Sequence, residues 1–304
     1  MRAFAGRMRG VIGARLRLRH ARLEAGYAQP LELRPALDRL ESGLDEVKAT
    51  LGALQASQAR HERLSRVHHD ELGRLRGHLT ALRTSDAYAA TFQNRAALVS
   101  IPIATYNAAE LLVERAIASV LAQSYPTWEI VVVGDGCSDD TEARIRALGD
   151  ARIRFVNLPF RTLSGDNPDE RWLVSGAAPQ NLAVELSRGE WLAPLDDDDE
   201  FLPDHIEVLL GLALANGAEL AYGKLVSADG REWFAAPPAF EQIGMQSVLY
   251  LRALGTFFEW DTRSWAIEEP ADWNLIRRMR EAGVRMAATD VPVTRYYPSE
   301  RTRV

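Results

Sequence analysis

A single cysteine, Cys137, occurs in the 304 residues. An internal disulfide framework and a cysteine-clustered zinc site are thereby excluded, which fits a reducing compartment. No apolar run approaches the roughly 18 residues that cross a bilayer. The arginine-rich start lacks the continuous apolar segment and small-residue cleavage site of a signal peptide. No G-x-G-x-x-G follows a strand pattern, which sets dinucleotide oxidoreductases aside. The expectation is a cytoplasmic chain. With 47% hydrophobic and 26% charged residues, it can hold one good-sized core and an appendage.

The net charge of −6 conceals an uneven division. Residues 1–95 carry 17 Lys and Arg against 10 Asp and Glu, a net of +7, whereas the remainder carries 19 against 32, a net of −13. These read as two pieces of protein, an arm and a domain.

In the arm, residues 1–34 alternate Arg2, Arg7, Arg9, Arg15, Arg17, Arg19 and Arg22 with Phe4, Met8, Val11, Ile12, Leu16, Leu18 and Leu23. A basic amphipathic helix on the inner, anionic membrane face, a disordered basic tail and an acidic partner all remain open. Nucleic acid is disfavoured, since no reading module follows. Pro30 and Pro35 separate this segment from residues 35–84, where a heptad stripe keeps its phase. One seam position is Leu40, Val47, Leu54, His61, His68, Leu75 and Leu82; the other is Leu44, Leu51, Gln58, Ser65, Leu72 and Leu79. Such a stripe predicts a long coiled-coil helix and a homo-oligomer, with a polar stretch in mid-seam. Residues 85–95 read as a linker.

From residue 96 to 304 the pattern changes to strands alternating with helices. Strands are expected at Ala97–Ala104, Glu129–Val133, Ile153–Val156 and Trp191–Pro194. Helices are expected at Glu110–Ala122, Asp139–Leu148 and Ala178–Ser187, with another starting near Pro203. That order predicts βαβ units and a right-handed crossover. Residues 159–176 read as a loop rich in Gly, Pro and charge. In open sheets ligands sit at the carboxyl ends of strands. Three loops qualify: Thr105-Tyr106-Asn107, Gly134 to Asp139, and the acidic run Asp196-Asp197-Asp198-Asp199-Glu200. Carboxylates so crowded at a strand end suit a cation, or a diphosphate held through one.

Five stretches, in this order, closely resemble the family 2 glycosyltransferases of the GT-A fold: Val99 to Asn107, Ser119 to Pro126, Asp135-Gly136-Cys137-Ser138-Asp139, Asn181-Leu182-Ala183 before Gly189-Glu190-Trp191, and Leu195 to Asp199. The resemblance implies a mixed α/β sheet flanked by helices, preceded here by the long helical arm. It also implies inverting transfer of a sugar from a nucleoside diphosphate sugar, a UDP-sugar in the first instance, to a glycan, lipid-linked or other hydroxyl acceptor, as in the making of cell-surface polysaccharide.

The resemblance assigns Ala104, Thr105, Tyr106, Asp135, Gln180, Asp196 and Asp197 to the nucleotide sugar. Tyr106 offers a flat face to a base, and the carboxylate of Asp135 is an acceptor suited to an imide N–H. Asp198 is implied as ligand of a divalent cation, Mg²⁺ or Mn²⁺. Asp272, in Glu268 to Leu275, is implied as general base. Without the family, Asp135 reads equally as closing a turn and Asp272 as capping its helix; Asp199 and Glu200 read as a solvated lead into the next helix.

Three departures stand out: Gly134 for an acidic residue, Gln180 where arginine is frequent, and Ala271 where glutamate is usual before the base. The domain's one histidine is His205, and Arg295 and Arg301 are candidates to neutralise phosphate. Two other classes compete. A non-catalytic scaffold with a degenerate domain would explain Gly134 and Ala271. A nucleotidyltransferase would share the acidic pair, but Thr105-Tyr106-Asn107-Ala108 lacks the Gly-rich basic loop expected of one.

Overall fold

The computed structural model describes residues 34–162 and 164–298, so residues 1–33, with their basic pattern, lie outside it. The chain divides into two compact units at His68/His69. Helix α1, Arg34–Arg83, begins in the first and ends in the second. In the first unit the seam residues Leu44, Val47 and Leu51 are exposed. The side chains at 53–69, which include the polar mid-seam residues, are outside the described set.

In the second unit the same stripe has a partner within the chain. Leu75 and Leu79 are buried in the core and Leu72 and Leu82 pack against it. The segment expected as a linker carries a short helix, α2 (Asp86–Thr91), capped by Ser85 and fixed through buried Tyr88. Its anchor is Glu219, wholly buried, whose carboxylate accepts from Arg83 Nε and Nη2 at 2.7 Å each, from Tyr88 Oη at 2.6 Å and from Arg285 N at 2.8 Å. Burial alone would raise the Glu219 pKa; these donors outweigh it and hold the carboxyl below its ordinary value.

Among the described residues nine strands form one mixed sheet. Its first half follows the sequence pattern. Strands β1 (Val99–Thr105), β2 (Trp128–Gly134), β3 (Ile153–Asn157) and β4 (Trp191–Leu192) run parallel in the order β3-β2-β1-β4. All seven residues of β2 are buried, as expected where helices cover both faces of a parallel sheet. The covering helices are α3 (109–121), α4 (Thr141–Ala147) and α6 (Ala177–Leu186). A π-helical turn at Leu112–Ile117 interrupts α3. The expected loop 159–176 contains helix α5 (Pro168–Leu173), which has the usual start signal: Asn167 accepts from Glu170 N at 3.0 Å and Pro168 occupies the first position.

The second half is built by pairings distant in sequence. Strand β8 (Val248–Leu251) lies antiparallel to β4 and to β6 (Leu220–Ser227), and β6 lies parallel to β9 (Met286–Tyr296). A short strand, β7 (Glu232–Trp233), edges β6. Glu200 is not a solvated turn residue. It opens β5 (Glu200–Phe201), antiparallel to β9, and pairs with Arg295 at 2.9 Å. Helices α7 (His205–Asn216) and α8 (Ala271–Ala282) complete the unit. His205 is a core residue: it stacks on Phe201 with ring centroids 3.6 Å apart, meets Val293 O at 3.0 Å, and burial pushes its pKa down to about 3.

Candidate active site

Register brings the three loops to one edge. Thr105 ends β1 opposite Gly134, the end of β2, so Tyr106 and Asp135 leave neighbouring strands at the same level. Beyond β4 the chain keeps to β1, with Ala193 N on Ser100 O at 2.9 Å and Leu195 N on Pro102 O at 3.2 Å. The acidic run therefore emerges at that edge too, the usual ligand position in such sheets.

The first two loops are laced together. Asn107, at φ +48°, accepts from Ser138 N at 2.8 Å and from Asp139 N at 3.3 Å. Asp135 donates its N–H to Thr105 O, and its Oδ1 accepts from both Thr162 N (2.7 Å) and Thr162 Oγ1 (2.6 Å). Asp135 is thus more than a turn residue: it is buried and ties the strap 160–162 to its own loop. Gly136, at φ +72°, permits the approach, because a Cβ there would lie 2.6 Å from Arg161 N. Arg161 places its guanidinium 3.8 Å over the Tyr106 ring. Thr105 is buried and Ala104 half-buried at the base of these loops. Gln180, on α6, is buried with its amide on Pro102 O at 3.2 Å, so it serves the strand.

The acidic run is graded. Asp196 is exposed, Asp197 is buried, and Asp198 is half-exposed with its carbonyl accepting from Arg115 at 2.7 Å. Asp199 corrects the expectation of a solvated cap: it is 1% exposed and accepts from Gln246 Nε2 and Tyr297 N, both at 2.8 Å. Burial first, with the neighbouring Asp198 adding to it, pushes its pKa up to about 7.

Asp196 is raised well above the carboxylate range, first by the protein around it and then by Asp199, Asp198, Asp197 and Asp272. The same repulsion joins Asp272 to the run, as does Tyr296, whose pKa is raised by burial and then by Asp199, Asp196, Asp198 and Asp272. Asp272 sits in the first turn of α8, half-buried, its Oδ1 accepting from Trp273 N at 2.7 Å. Burial raises its pKa against the pull of those backbone donors. Asp197 in turn acts on Cys137, raising the thiol already raised by burial, so the acidic run reaches the Asp135 loop as well.

Sequence reasoning missed Arg115, Arg161, Thr162 and Tyr296. The family motifs carry no signal for the first three. Tyr296 stands beside Arg295, in a stretch read only for its arginine. Arg295 is engaged by Glu200, and Arg301 lies outside the described residues. Among the described residues no group of three or more His, Cys, Asp or Glu is arranged to hold a metal by itself. The half-exposed carboxylate of Asp198 is an oxygen donor of the kind Mg²⁺ or Mn²⁺ takes, and ligand oxygens would have to complete the shell.

A family model described as Glycosyl transferase family 2 matches residues 100–166 and 174–274, more than half of the chain. The succinoglycan biosynthesis protein ExoO of Rhizobium meliloti (strain 1021) is 38% identical over 135 residues, 44% of this chain and 35% of that protein. The UDP-Glc:alpha-D-GlcNAc-diphosphoundecaprenol beta-1,3-glucosyltransferase WfgD of Escherichia coli is 30% identical over 126 residues, 41% of this chain and 45% of that protein. The matched part thus spans less than half the length of these curated relatives. Among solved structures, S. aureus TarS 1-349 in complex with UDP-GlcNAc superposes with a TM-score of 0.54 at 15% identity, covering 67% of this chain and 60% of that one, which establishes likeness of fold.

Proposed function

The chain belongs to glycosyl transferase family 2, and on that premise we propose that it transfers a sugar from a nucleoside diphosphate sugar, UDP-sugar first, to a hydroxyl acceptor with inversion. The names of the relatives point to an acceptor in polysaccharide assembly, glycan or lipid-linked. The observation that carries the reading is the delivery of the acidic run beside the Asp135 loop at one sheet edge, with Asp272 adding to the repulsion that raises Asp196. Asp196, Asp197 and Asp198 leave β4 on the donor side; Asp272 enters from α8, close enough to Asp196 to act on it.

In this reading Tyr106 and Asp135 hold the base, the latter through Oδ2, since Thr162 occupies Oδ1. Asp272 takes the proton of the acceptor hydroxyl as its oxygen bonds to the anomeric carbon. The bond from that carbon to the diphosphate breaks on the opposite side, and its electron pair leaves with the nucleoside diphosphate. A base of raised pKa suits the task, because it binds the proton more firmly. A divalent cation on Asp198 would stabilise charge on the departing diphosphate.

Packing offers another account of the two departures that favour the scaffold alternative. A Cβ on Gly134 would lie 2.5 Å from Asn157 Oδ1, the amide oxygen that holds Cys137 N at 2.8 Å, so a side chain there would have to displace that amide. Ala271 is buried in a small apolar cluster with Val174 and Ala177, where a charged glutamate would have to be desolvated.

Outside the site, no helix among the described residues is long and apolar enough to cross a membrane. Attachment to the inner membrane face through residues 1–33, and self-association through the exposed seam Leu44, Val47 and Leu51, remain part of the proposal. The test is release of nucleoside diphosphate from a panel of sugar nucleotides with Mn²⁺ and with Mg²⁺. Release by the wild type and silence from Asp198→Ala supports the reading; a wild type that neither binds nor cleaves any member sinks it.

A further inference from the structure

The site is crowded with negative charge, yet on the proposed reading its ligand is a diphosphate. Positive charge has to come from somewhere, and most nearby cations are already engaged. Arg115 donates to Asp198 O and lies 3.8 Å over the Tyr297 ring. Arg295 pairs with Glu200, and Lys224 with Glu232.

Arg161 differs. It is half-buried, and no carboxylate among the described residues pairs with it; its contact is the face of Tyr106 at 3.8 Å. Two independent features fix the chain on either side of it at this edge of the sheet. Thr162 is bonded twice to Asp135, and the backbone of Phe160 and Arg161 lies against Gly136 so closely that a Cβ there would meet it at 2.6–2.7 Å. A guanidinium held over a ring, rather than matched to an anion, keeps its five donors for a ligand.

Resting on the donor-site reading above, we propose that Arg161 binds the diphosphate of the donor and supplies fixed positive charge that the family pattern places elsewhere, at the position filled here by Gln180. Gln180 cannot do so: it is uncharged and its amide is on Pro102 O. The planar fork of arginine fits two phosphate oxygens at once, and such charge-assisted pairs are among the stronger hydrogen bonds.

The test is calorimetric titration of the full chain with UDP and, separately, with uridine, which keeps base and ribose and lacks the phosphates. Arg161→Gln is expected to weaken UDP about 10- to 100-fold and to leave uridine within about twofold. Arg161→Lys, which keeps the charge and loses the fork, is expected to fall between. Melting curves of both variants establish that the strap still folds. UDP affinities equal to wild type in both variants overturn the inference while the donor site stands. An equal loss for uridine also overturns it, by assigning Arg161 to the base. If the wild type binds neither UDP nor GDP, the parent reading falls with it.

Discussion

Glu219 and Asp272 are both carboxylates at the heart of this unit, and they are held in opposite ways. At the anchor, Glu219 collects a bidentate arginine, a phenol and a backbone N–H, and its pKa falls despite complete burial. At the site, Asp272 has one short backbone donor, shares its surroundings with Asp196, and its pKa rises. The difference separates a charge that folding has satisfied from one left available for chemistry. Buried charge that is fully bonded holds the chain together; buried charge that is short of partners is ready to take a proton.

Exchanging each acid for its amide breaks the comparison most sharply. Asp272→Asn is expected to lower kcat by about 10²- to 10⁴-fold, the usual worth of a positioned base. UDP affinity and melting temperature should hold, since the residue has little structural bonding to lose. Equal loss of binding would move Asp272 from the acceptor side to the donor side. Glu219→Gln is expected to do the reverse: about 1–3 kcal/mol of stability lost by denaturant titration, from a partly exposed arginine fork left without its anion, with kcat of the surviving folded protein unchanged.

The donor half of the site was legible because its signals are local. Each βαβ turn is written in ten or so consecutive residues, so the loops that carry Asp135 and the acidic run could be placed at one sheet edge from the strand pattern, while the roles of those residues came from the family resemblance. The acceptor half was not, because β6, β8 and β9 pair across 25 to 75 residues, and the short β5 and β7 add only two-residue pairings. Asp199 illustrates the cost: in sequence it continues a solvated run, and only the arrival of Gln246 and Tyr297 buries it. Arg161 and Thr162 were hidden for a different reason. They belong to a strap whose position depends on a glycine in another loop.

The heptad stripe was legible as a helix and ambiguous as to its partner. Its far end, Leu72 to Leu82, is covered by the same chain, whereas Leu44, Val47 and Leu51 remain uncovered. Leu79→Ala should therefore cost about 2–3 kcal/mol through loss of a filled core position. Val47→Ala should change the stability of the monomer by less than about 0.5 kcal/mol. A concentration-dependent loss from Val47→Ala in sedimentation would show that the exposed seam pairs between copies.

The smallest effect separates the two carboxylates by pH. Glu219, with its pKa lowered, contributes stability that is present above the unfolded value near 4.5 and is lost as pH falls through the lower folded value. Asp272, with its pKa raised, behaves oppositely: as pH falls toward the ordinary aspartate value the folded state takes up the proton first, so this group adds stability while its basicity is lost. Activity should consequently fade at a higher pH than folding does, leaving an acidic window in which the chain is folded and inactive. Glu219→Gln should remove part of the acid limb of the stability curve and leave the acid limb of kcat where it was. If both limbs moved together in that variant, the loss of rate would be partial unfolding, and the assignment of Asp272 as the base would lose its support.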